Sequence, residues 1–194
     1  SEADPDLQRA AGLLQYPGNV WIWNPSVSLA PRASSESQYR DARERLLAYN
    51  ARLAKGKANY DIRADNLLAT IERFAADIGS SSALIDRHLN EEAGSFFDAE
   101  ADDIFYFTKG KLYGYYMVLQ GLGTDFEPII KERNLQKPWN EMMESFRKAA
   151  LLDPWVVMNG DPDAQFQPNH LATQGFYLLR ARTQLREISN ILLK

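Results

Sequence analysis

His170 is one of two histidines in this sequence and the better candidate for chemistry. It stands at the predicted start of the last helix, where the helix dipole disfavours the imidazolium and leaves a neutral imidazole, the form needed for a base or a ligand. No nucleophile or water site accompanies it, and the histidines lack the spacing of a metal-binding pair. We therefore treat His170 as a candidate ligand-binding residue and name no catalytic residue. His88, followed by Glu91 and Glu92, is expected to form a surface pair with them.

The acidic residues between 98 and 103 are the densest group of carboxylates. Asp98 and Asp102 lie one helical turn apart, a spacing that suits a hard cation or an acid and base pair. Acids are also favoured in a first helical turn by the dipole alone, and no calcium-type loop is present. We interpret the group as the start of a helix, with Asp98 and Asp102 as weak metal candidates. The sequence predicts no metal and no cofactor.

Serines occur in two groups, at positions 34, 35 and 37 and at positions 80 to 82. A serine hydrolase of the nucleophile-elbow type would need a Gly-x-Ser-x-Gly motif, which the sequence lacks. Both groups lie where helices are expected to begin, so we interpret them as helix caps. Ser35 and Gln38 have the spacing of a capping box, and Thr124 and Glu127 have the same spacing at the start of the helix predicted over 125–134.

Two tryptophans, Trp21 and Trp23, lie in a segment that contains prolines at 17, 25 and 31. The prolines favour an extended conformation, in which both indoles point to the same side. The segment is expected to lie as an arm along a groove between helices, because indoles bury large areas. The alternative is an aromatic platform left open for a ligand, with Trp155 and Phe166 as its second wall.

Helical periodicity dominates the chain, and no alternating run predicts a strand. The class is therefore all-α, a multi-helix bundle with an extended N-terminal arm. The predicted helices span residues 4 or 5 to 14, 35–54, 64–78, 80–94, 99–120, 125–134, 138–152, and 169 or 170 to 194.

Four of these helices define the predicted bundle. Apolar residues within 39–53 and 64–78 are spaced by three and four, which predicts a long antiparallel hairpin whose paired residue numbers sum to 116 or 117. The helix over residues 99–120 is rich in aromatic residues and apolar on most sides, so it is expected at the centre. The last helix has one heptad seam, in which a single glutamine interrupts apolar residues: Leu171, Gln174, Leu178, Ala181, Leu185, Ile188 and Leu192.

Length and composition limit the class of protein. The 194 residues predict a single helical domain over 1–194, with the helix and arm in 1–34 and the bundle in 35–194. A net charge of −4 disfavours nucleic acid as the partner. The absence of cysteine excludes disulfides and thiolate sites. The apolar run from Leu112 to Thr124 contains no charged residue, but it is too short to cross a bilayer.

Four stretches, in order along nearly the whole chain, carry a family resemblance. They are VWIWNPS followed by SSESQYRDARERLLAYNARLAKG, then IRADNLL with DIGSSSALI, then DDIFYFTKGKLYGYYMVLQGLGTDF, and finally WVVMNGDPDAQFQPNHLATQGFYLLRART. The chain resembles an uncharacterised family of proteobacterial inner-membrane-anchored proteins, a domain-of-unknown-function family. The resemblance implies a membrane-spanning helix and a further soluble stretch upstream. It also implies that this region is the C-terminal, periplasmic part.

The function expected from these observations is that of a non-catalytic envelope scaffold or protein-interaction domain, with a protein partner in the envelope. Two alternatives stay open. One is a protein that binds a small amphiphile or peptide in a pocket that includes Trp21, Trp23, Trp155 and His170, and the other, less favoured, is a hydrolase.

Overall fold

A computed structural model of the chain describes residues 4–20, 32–92, 99–160 and 167–194. Seven helices lie within these ranges, which contain no strand and only one isolated bridge, between Asn159 and Asn169. The all-α class is confirmed. The helices are α1 (Pro5–Leu14), α2 (Ser35–Leu53), α3 (Ala64–Glu92), α4 (Ala99–Asp125), α5 (Glu127–Glu132), α6 (Gln136–Leu151) and α7 (His170–Leu192).

The chain divides into two compact units, Ser1–Asp61 and Ile62–Lys194. The sequence instead placed its only internal boundary between residues 34 and 35, and the single domain over 1–194 stays a prediction.

The first unit contains α1 and α2, which pack against each other. Among its described residues, three apolar side chains are buried: Ala10, Ala42 and Tyr49. Arg52 donates to both carboxylate oxygens of Asp4, at 2.9 and 2.7 Å, and also to Asp6 at 2.6 Å. Asp4 is in addition the N-cap of α1, so one carboxylate caps the first helix and holds it to the second.

The start and end of α2 show how local residues set its limits. Ser34, not Ser35, is its N-cap, because the Ser34 hydroxyl accepts the Ser37 N–H at 3.1 Å. The Ser35 hydroxyl donates instead to the carbonyl of Pro17, so the predicted capping box is wrong. After the helix, Gly56 has a φ of 65°, the left-handed conformation that commonly ends a helix and that glycine adopts without strain.

The second unit contains α3 to α7 and the main hydrophobic core. Helix α7 packs against α3 and α6, and α6 packs against α4. All seven residues of the predicted α7 seam are buried, which confirms that seam. Gln174 donates its Nε2 hydrogen to the carbonyl of Phe105 at 3.0 Å, so the polar member of the seam ties α7 to α4.

Helix α3 runs without a break from Ala64 to Glu92, so the two predicted helices that meet at Gly79 are wrong. A Cβ on Gly79 would lie 3.0 Å from the guanidinium of Arg182 on α7, so this glycine makes room for a neighbouring helix. The serines that follow lie inside the helix and cap nothing: the Ser80 hydroxyl donates to the carbonyl of Asp77, and Ser81 and Ser82 are buried.

The predicted hairpin joins residues of the two units and stays a prediction. Within its own unit, the seam of α3 is already covered, because Leu67, Ile71 and Ile78 belong to the core around α7. Within the first unit, two residues of the α2 seam, Tyr39 and Leu46, are exposed.

The short helix α5 begins at Glu127, later than predicted. Its N-cap is Phe126, which provides no side-chain hydrogen bond. Thr124, which was expected to cap this helix, remains in the last turn of α4 and donates to the carbonyl of Gln120. The capping box predicted at Thr124 and Glu127 is therefore wrong.

Candidate functional site

Helix α4 has two apolar faces with heptad spacing, and only one of them is buried. The buried face begins at Ala101 and packs toward α6 and the core. Its members follow one another at intervals of four and three: Ala101, Phe105, Thr108, Leu112, Tyr115, Leu119 and Leu122. The expectation that α4 is surrounded at the centre of the bundle is wrong, because the opposite face is open.

We call the open side of α4 the glycine face and define it as Phe107, Gly110, Gly114, Met117 and Gly121. These residues are spaced by three and four, so they fall within a single stripe of the helix. Phe107 is 65% exposed and Met117 48% exposed, and all three glycines are exposed. Tyr113 and Val118 flank the stripe and are also about half exposed. About four turns of helix thus present apolar side chains and glycine backbone to solvent.

No close packing among the described residues requires glycine at the three glycine positions of this face. A Cβ built on Gly110, Gly114 or Gly121 meets no described atom within 4 Å. Gly123, on the same helix, differs: its Cβ would lie 2.7 Å from Nε1 of Trp139. Because each interior glycine costs up to about 1 kcal/mol relative to alanine, the chain carries a helix penalty that its own packing does not explain.

Acidic side chains mark both ends of the glycine face. Glu100, Asp102 and Asp103 precede it and Asp125 follows it, all exposed and without an ion pair to the described residues. The two lysines of α4 are already paired, Lys109 with Asp153 and Lys111 with Asp77. The open stripe is therefore apolar in its middle and negative at its ends.

The loop after α6 lies next to α4 and carries the exposed Trp155. Tyr106 donates its hydroxyl to the carbonyl of Pro154 at 2.9 Å, and Lys109 pairs with Asp153. These two contacts fix the loop immediately before Trp155, whose side chain is fully exposed. Trp155 therefore adds an aromatic side chain to the surface beside α4.

His170 lines a cavity of about 260 Å³ together with Phe105, Leu152, Asp153, Pro154 and Thr173. It is the first residue of α7, as predicted, and Asn169 is the N-cap, accepting the Ala172 N–H at 2.7 Å. The backbone N–H of Met158 donates to Nδ1 of His170 at 2.9 Å. Burial lowers the pKa of His170, which favours the neutral ring.

The hydrogen bond from the Met158 N–H determines which nitrogen of the neutral His170 ring carries the proton. Because Nδ1 accepts, the proton of the neutral ring is on Nε2, so His170 presents a hydrogen-bond donor. A base or a metal ligand at Nε2 would need its lone pair there, and the proton would then move to Nδ1 and face the Met158 N–H. In this arrangement Nδ1 is not available to act as a base, and the role that fits the ring is that of a hydrogen-bond donor to a bound ligand.

A polar cluster that sequence reasoning missed joins α3 to α4. Lys111 lies 2.7 Å from Asp77 and donates to the hydroxyl of Ser81 at 3.0 Å, and Tyr115 donates to Asp77. Burial raises the pKa of Asp77, but the hydrogen bonds from Lys111 and Tyr115 outweigh it and leave the pKa below its usual value. Burial, together with the neighbouring carboxylate of Asp77, raises the pKa of Tyr115. No spacing in the sequence joins these residues, since they meet only once the helices pack.

The 3.0 Å distance between Lys111 Nζ and Ser81 Oγ is that of a catalytic serine and lysine dyad, but the charge of the lysine does not fit such a dyad. A dyad needs a neutral lysine that takes the proton of the serine. Lys111 is held as an ammonium by Asp77 and donates to Ser81, so it has no lone pair for that proton. Ser81 is also only 5% exposed. The cluster is a structural tie between two helices.

The remaining residues that the sequence analysis singled out do not form a site within the described part of the chain. Trp21, Trp23 and Asp98 lie outside the described residues. Asp102 is exposed, and within the described ranges no group of three or more His, Asp or Glu side chains is placed to hold a metal ion. His88, expected at the surface, is 5% exposed. None of the helices described is both long and apolar enough to span a membrane.

Comparison with known proteins gives one family. A family model with the description "Uncharacterized protein conserved in bacteria (DUF2333)" matches residues 1–95 and 95–194. A search of curated proteins and a search of solved structures find no match.

Proposed function

The chain belongs to the bacterial family DUF2333, and from that premise we propose that it is a non-catalytic protein-interaction domain that binds its partner through the glycine face of α4. The single observation that carries the proposal is the second heptad stripe, exposed along α4. Heptad stripes are complementary to other helices, and an exposed contiguous apolar surface is typical of an interaction site.

The three open glycines support a helix-binding surface more than a general hydrophobic one. Glycine lets the backbone of a second helix approach closely, which larger side chains prevent. At Gly123 and Gly79, where the chain itself comes close, a neighbouring side chain fills the space. By the same reasoning, Gly110, Gly114 and Gly121 leave space for a helix of another molecule.

Two observations favour binding over catalysis. His170 uses its Nδ1 lone pair on the Met158 N–H, and Lys111 is fixed as an ammonium beside Ser81. The imidazole of His170 and the amino group of Lys111, the two groups suited to a proton transfer at these sites, are thus already used in structural contacts.

The proposal includes a location, the bacterial envelope, with this region on the periplasmic side of an inner-membrane anchor. The support is the family resemblance of the sequence. Fusion of a reporter that is active only in the periplasm to the C-terminus of the full-length protein tests it. Activity of a second reporter that works only in the cytoplasm, fused at the same position, would rule this location out.

Photocrosslinking in cells tests the interaction itself. p-Benzoylphenylalanine in place of Met117 should give protein adducts, whereas the same analogue in place of Gly12, an exposed glycine of α1, should not. Adding Gly114→Leu to the Met117 variant should remove the adducts, because the leucine fills the space between the two helices. Adducts of equal yield at both positions, or adducts insensitive to Gly114→Leu, would overturn the proposal.

The cavity beside His170 favours a second function, binding of a small ligand with a hydrogen-bond acceptor. Its walls are apolar at Phe105, Leu152 and Pro154, and His170 offers the Nε2 donor. A screen of small carbonyl and carboxylate fragments, followed by the NMR signals of the His170 ring, tests this function. Binding that persists unchanged in His170→Phe would exclude this residue as the donor.

A further inference from the structure

We infer that the partner of the glycine face is an amphipathic helix with an apolar heptad seam and basic residues at both ends of that seam. The inference rests on the proposed function and adds to it the chemistry of the partner. It follows from the charges that surround the face.

The ends of the glycine face are negative and unpaired. Asp103 lies four residues before Phe107, in line with the stripe, and Asp125 lies four residues after Gly121. Neither carboxylate has an ion pair with the described residues. A helix that docked between them with acidic or neutral ends would bring like charges together or leave the carboxylates uncompensated.

The middle of the face offers a partner no charge. Lys109 and Lys111 are the only charged residues of α4 between Asp103 and Asp125. Asp153 neutralises the first and Asp77 the second. An apolar seam therefore suits the middle, and cations suit the ends.

The same charges argue against a second copy of this chain on α4. In an antiparallel pair, Asp103 of one copy would approach Asp125 of the other. In a parallel pair, each carboxylate would lie beside its own equivalent. Both arrangements place acids against acids, whereas a basic helix pairs both ends.

Helix geometry fixes the spacing of the basic residues. Asp103 and Asp125 are 22 residues apart, which is about 33 Å at the usual rise of 1.5 Å per residue. The basic groups of the partner must therefore be about six turns apart, with small or medium apolar residues between them opposite Gly110, Gly114 and Gly121.

Two synthetic helical peptides test the inference on the full 194-residue chain. Both have about 25 residues and the same alanine and leucine seam, but one has two lysines at each end and the other two glutamates. Fluorescence anisotropy should show at least tenfold tighter binding of the lysine peptide at low salt, and the difference should shrink at 0.5 M salt. Asp103→Asn combined with Asp125→Asn should remove most of that preference.

Matched variants show where the peptide binds. Gly114→Leu should weaken binding of the lysine peptide at least tenfold, while Gly12→Leu, at another open helical glycine, should leave it unchanged. Circular dichroism of both variants checks that the fold is kept.

The inference is wrong if neither peptide binds, if both bind equally, or if Gly114→Leu has no effect. It is also wrong if light scattering shows a dimer that Gly114→Leu dissociates, since a second copy would then be the occupant. If neither peptide binds, or if both bind equally, the inference about the charge of the partner is wrong. The proposed function would still stand in either case, provided that Met117 gives Gly114-dependent adducts in cells. If no adducts form at Met117, or if Gly114→Leu does not affect them, the proposed function itself is overturned.

Discussion

Gly121 and Gly123 lie two residues apart on α4 and have opposite surroundings. Gly121 is open, whereas a Cβ on Gly123 would lie 2.7 Å from the indole nitrogen of Trp139. Gly121→Ala should therefore raise the free energy of unfolding by up to about 1 kcal/mol through helix propensity. Gly123→Ala should lower it by about 1 to 3 kcal/mol because Trp139 is displaced. Urea denaturation of the two variants measures both effects.

Equal effects of these two alanines would contradict the packing described for α4. A stabilising effect at Gly121 combined with weaker partner binding would show that the glycine is retained for the partner. A stabilising effect at Gly121 without any change in partner binding would show that this glycine is not needed for the partner.

The imidazole of His170 should make the stability of the domain depend on pH. Its pKa is lowered in the folded state, so the unfolded chain binds a proton at a higher pH than the folded one does. The free energy of unfolding should therefore fall as the pH decreases through 6.5, the usual pKa of the ring. His170→Asn keeps an acceptor for the Met158 N–H but does not titrate, and it should flatten this dependence.

Asp77 provides the internal comparison for that measurement. Its pKa is also lowered in the folded state, so its contribution is present at pH values above about 4 and is lost only below that. His170→Asn should leave this lower transition in place. A profile identical to that of the wild type between pH 5 and 7 would show that His170 is not the group responsible.

At the scale of single helices, α7 shows what heptad spacing can predict. All seven members of its seam are buried as predicted, and Asn169 caps the helix. Its length and its amphipathic pattern agree, so no other interpretation of that segment competes. The seam does not predict which helices cover it, because α3 and α6 are brought there only by the whole fold.

Helix α3 shows where local reasoning fails. Gly79 and the serines after it resemble a helix end followed by a cap, yet the helix continues. Ending the helix there would save about 1 kcal/mol of glycine penalty. Continuing it keeps the backbone hydrogen bonds and places Ile78 and Ile85 in the core beside α7, which outweighs that penalty.

Helix α4 could not have been interpreted from its sequence either. Both of its stripes are apolar with the same spacing, so the pattern alone cannot distinguish a helix covered on all sides from one that awaits a partner. Tyr115 and Lys111 meet Asp77 through packing with α3, which no short-range motif indicates. The spacing of Gly110 and Gly114, one turn apart, favours a close neighbour, but the sequence places both on a helix inside the core. Only their exposure in the structure shows that the neighbour is not among the described residues.

The two kinds of residue in the α7 seam should respond differently to substitution. Leu178→Ala removes a fully buried side chain and should lower the free energy of unfolding by about 2 to 5 kcal/mol. Gln174→Met removes the hydrogen bond to Phe105 but also the buried, unpartnered Oε1, so its effect should stay within about 1.5 kcal/mol. Chemical denaturation compares them, and a larger loss at Gln174 would show that the polar tie dominates the seam.

At the scale of the whole molecule, nearly all of the core belongs to the second unit. The core cluster runs from Leu67 to Leu192, whereas the first unit buries only Ala10, Ala42 and Tyr49 among its described apolar residues. A fragment of residues 62–194 should therefore fold alone and unfold cooperatively. A fragment of residues 1–61 should have little helix in isolation, since short helices need tertiary packing. Circular dichroism and thermal melts of both fragments check this.

An unfolded 62–194 fragment would show that the first unit is needed for the second to fold. In that case the 194 residues would act as one cooperative domain, as the length predicted. A cooperative 62–194 fragment would show that the unit with the glycine face is a domain in its own right.

The turns of α4 that contain Gly110 and Gly114 leave backbone peptide groups in contact with water. Side chains at Gly110 and Gly114 would have shielded the neighbouring amides, and nothing described replaces them. The amide hydrogens of these turns should exchange with deuterium sooner than those around the buried Leu119, and they should become protected whenever a second helix covers them. The amide hydrogens of this helix thus report whether a partner covers it, and deuterium-exchange mass spectrometry can read them without a probe attached to the chain.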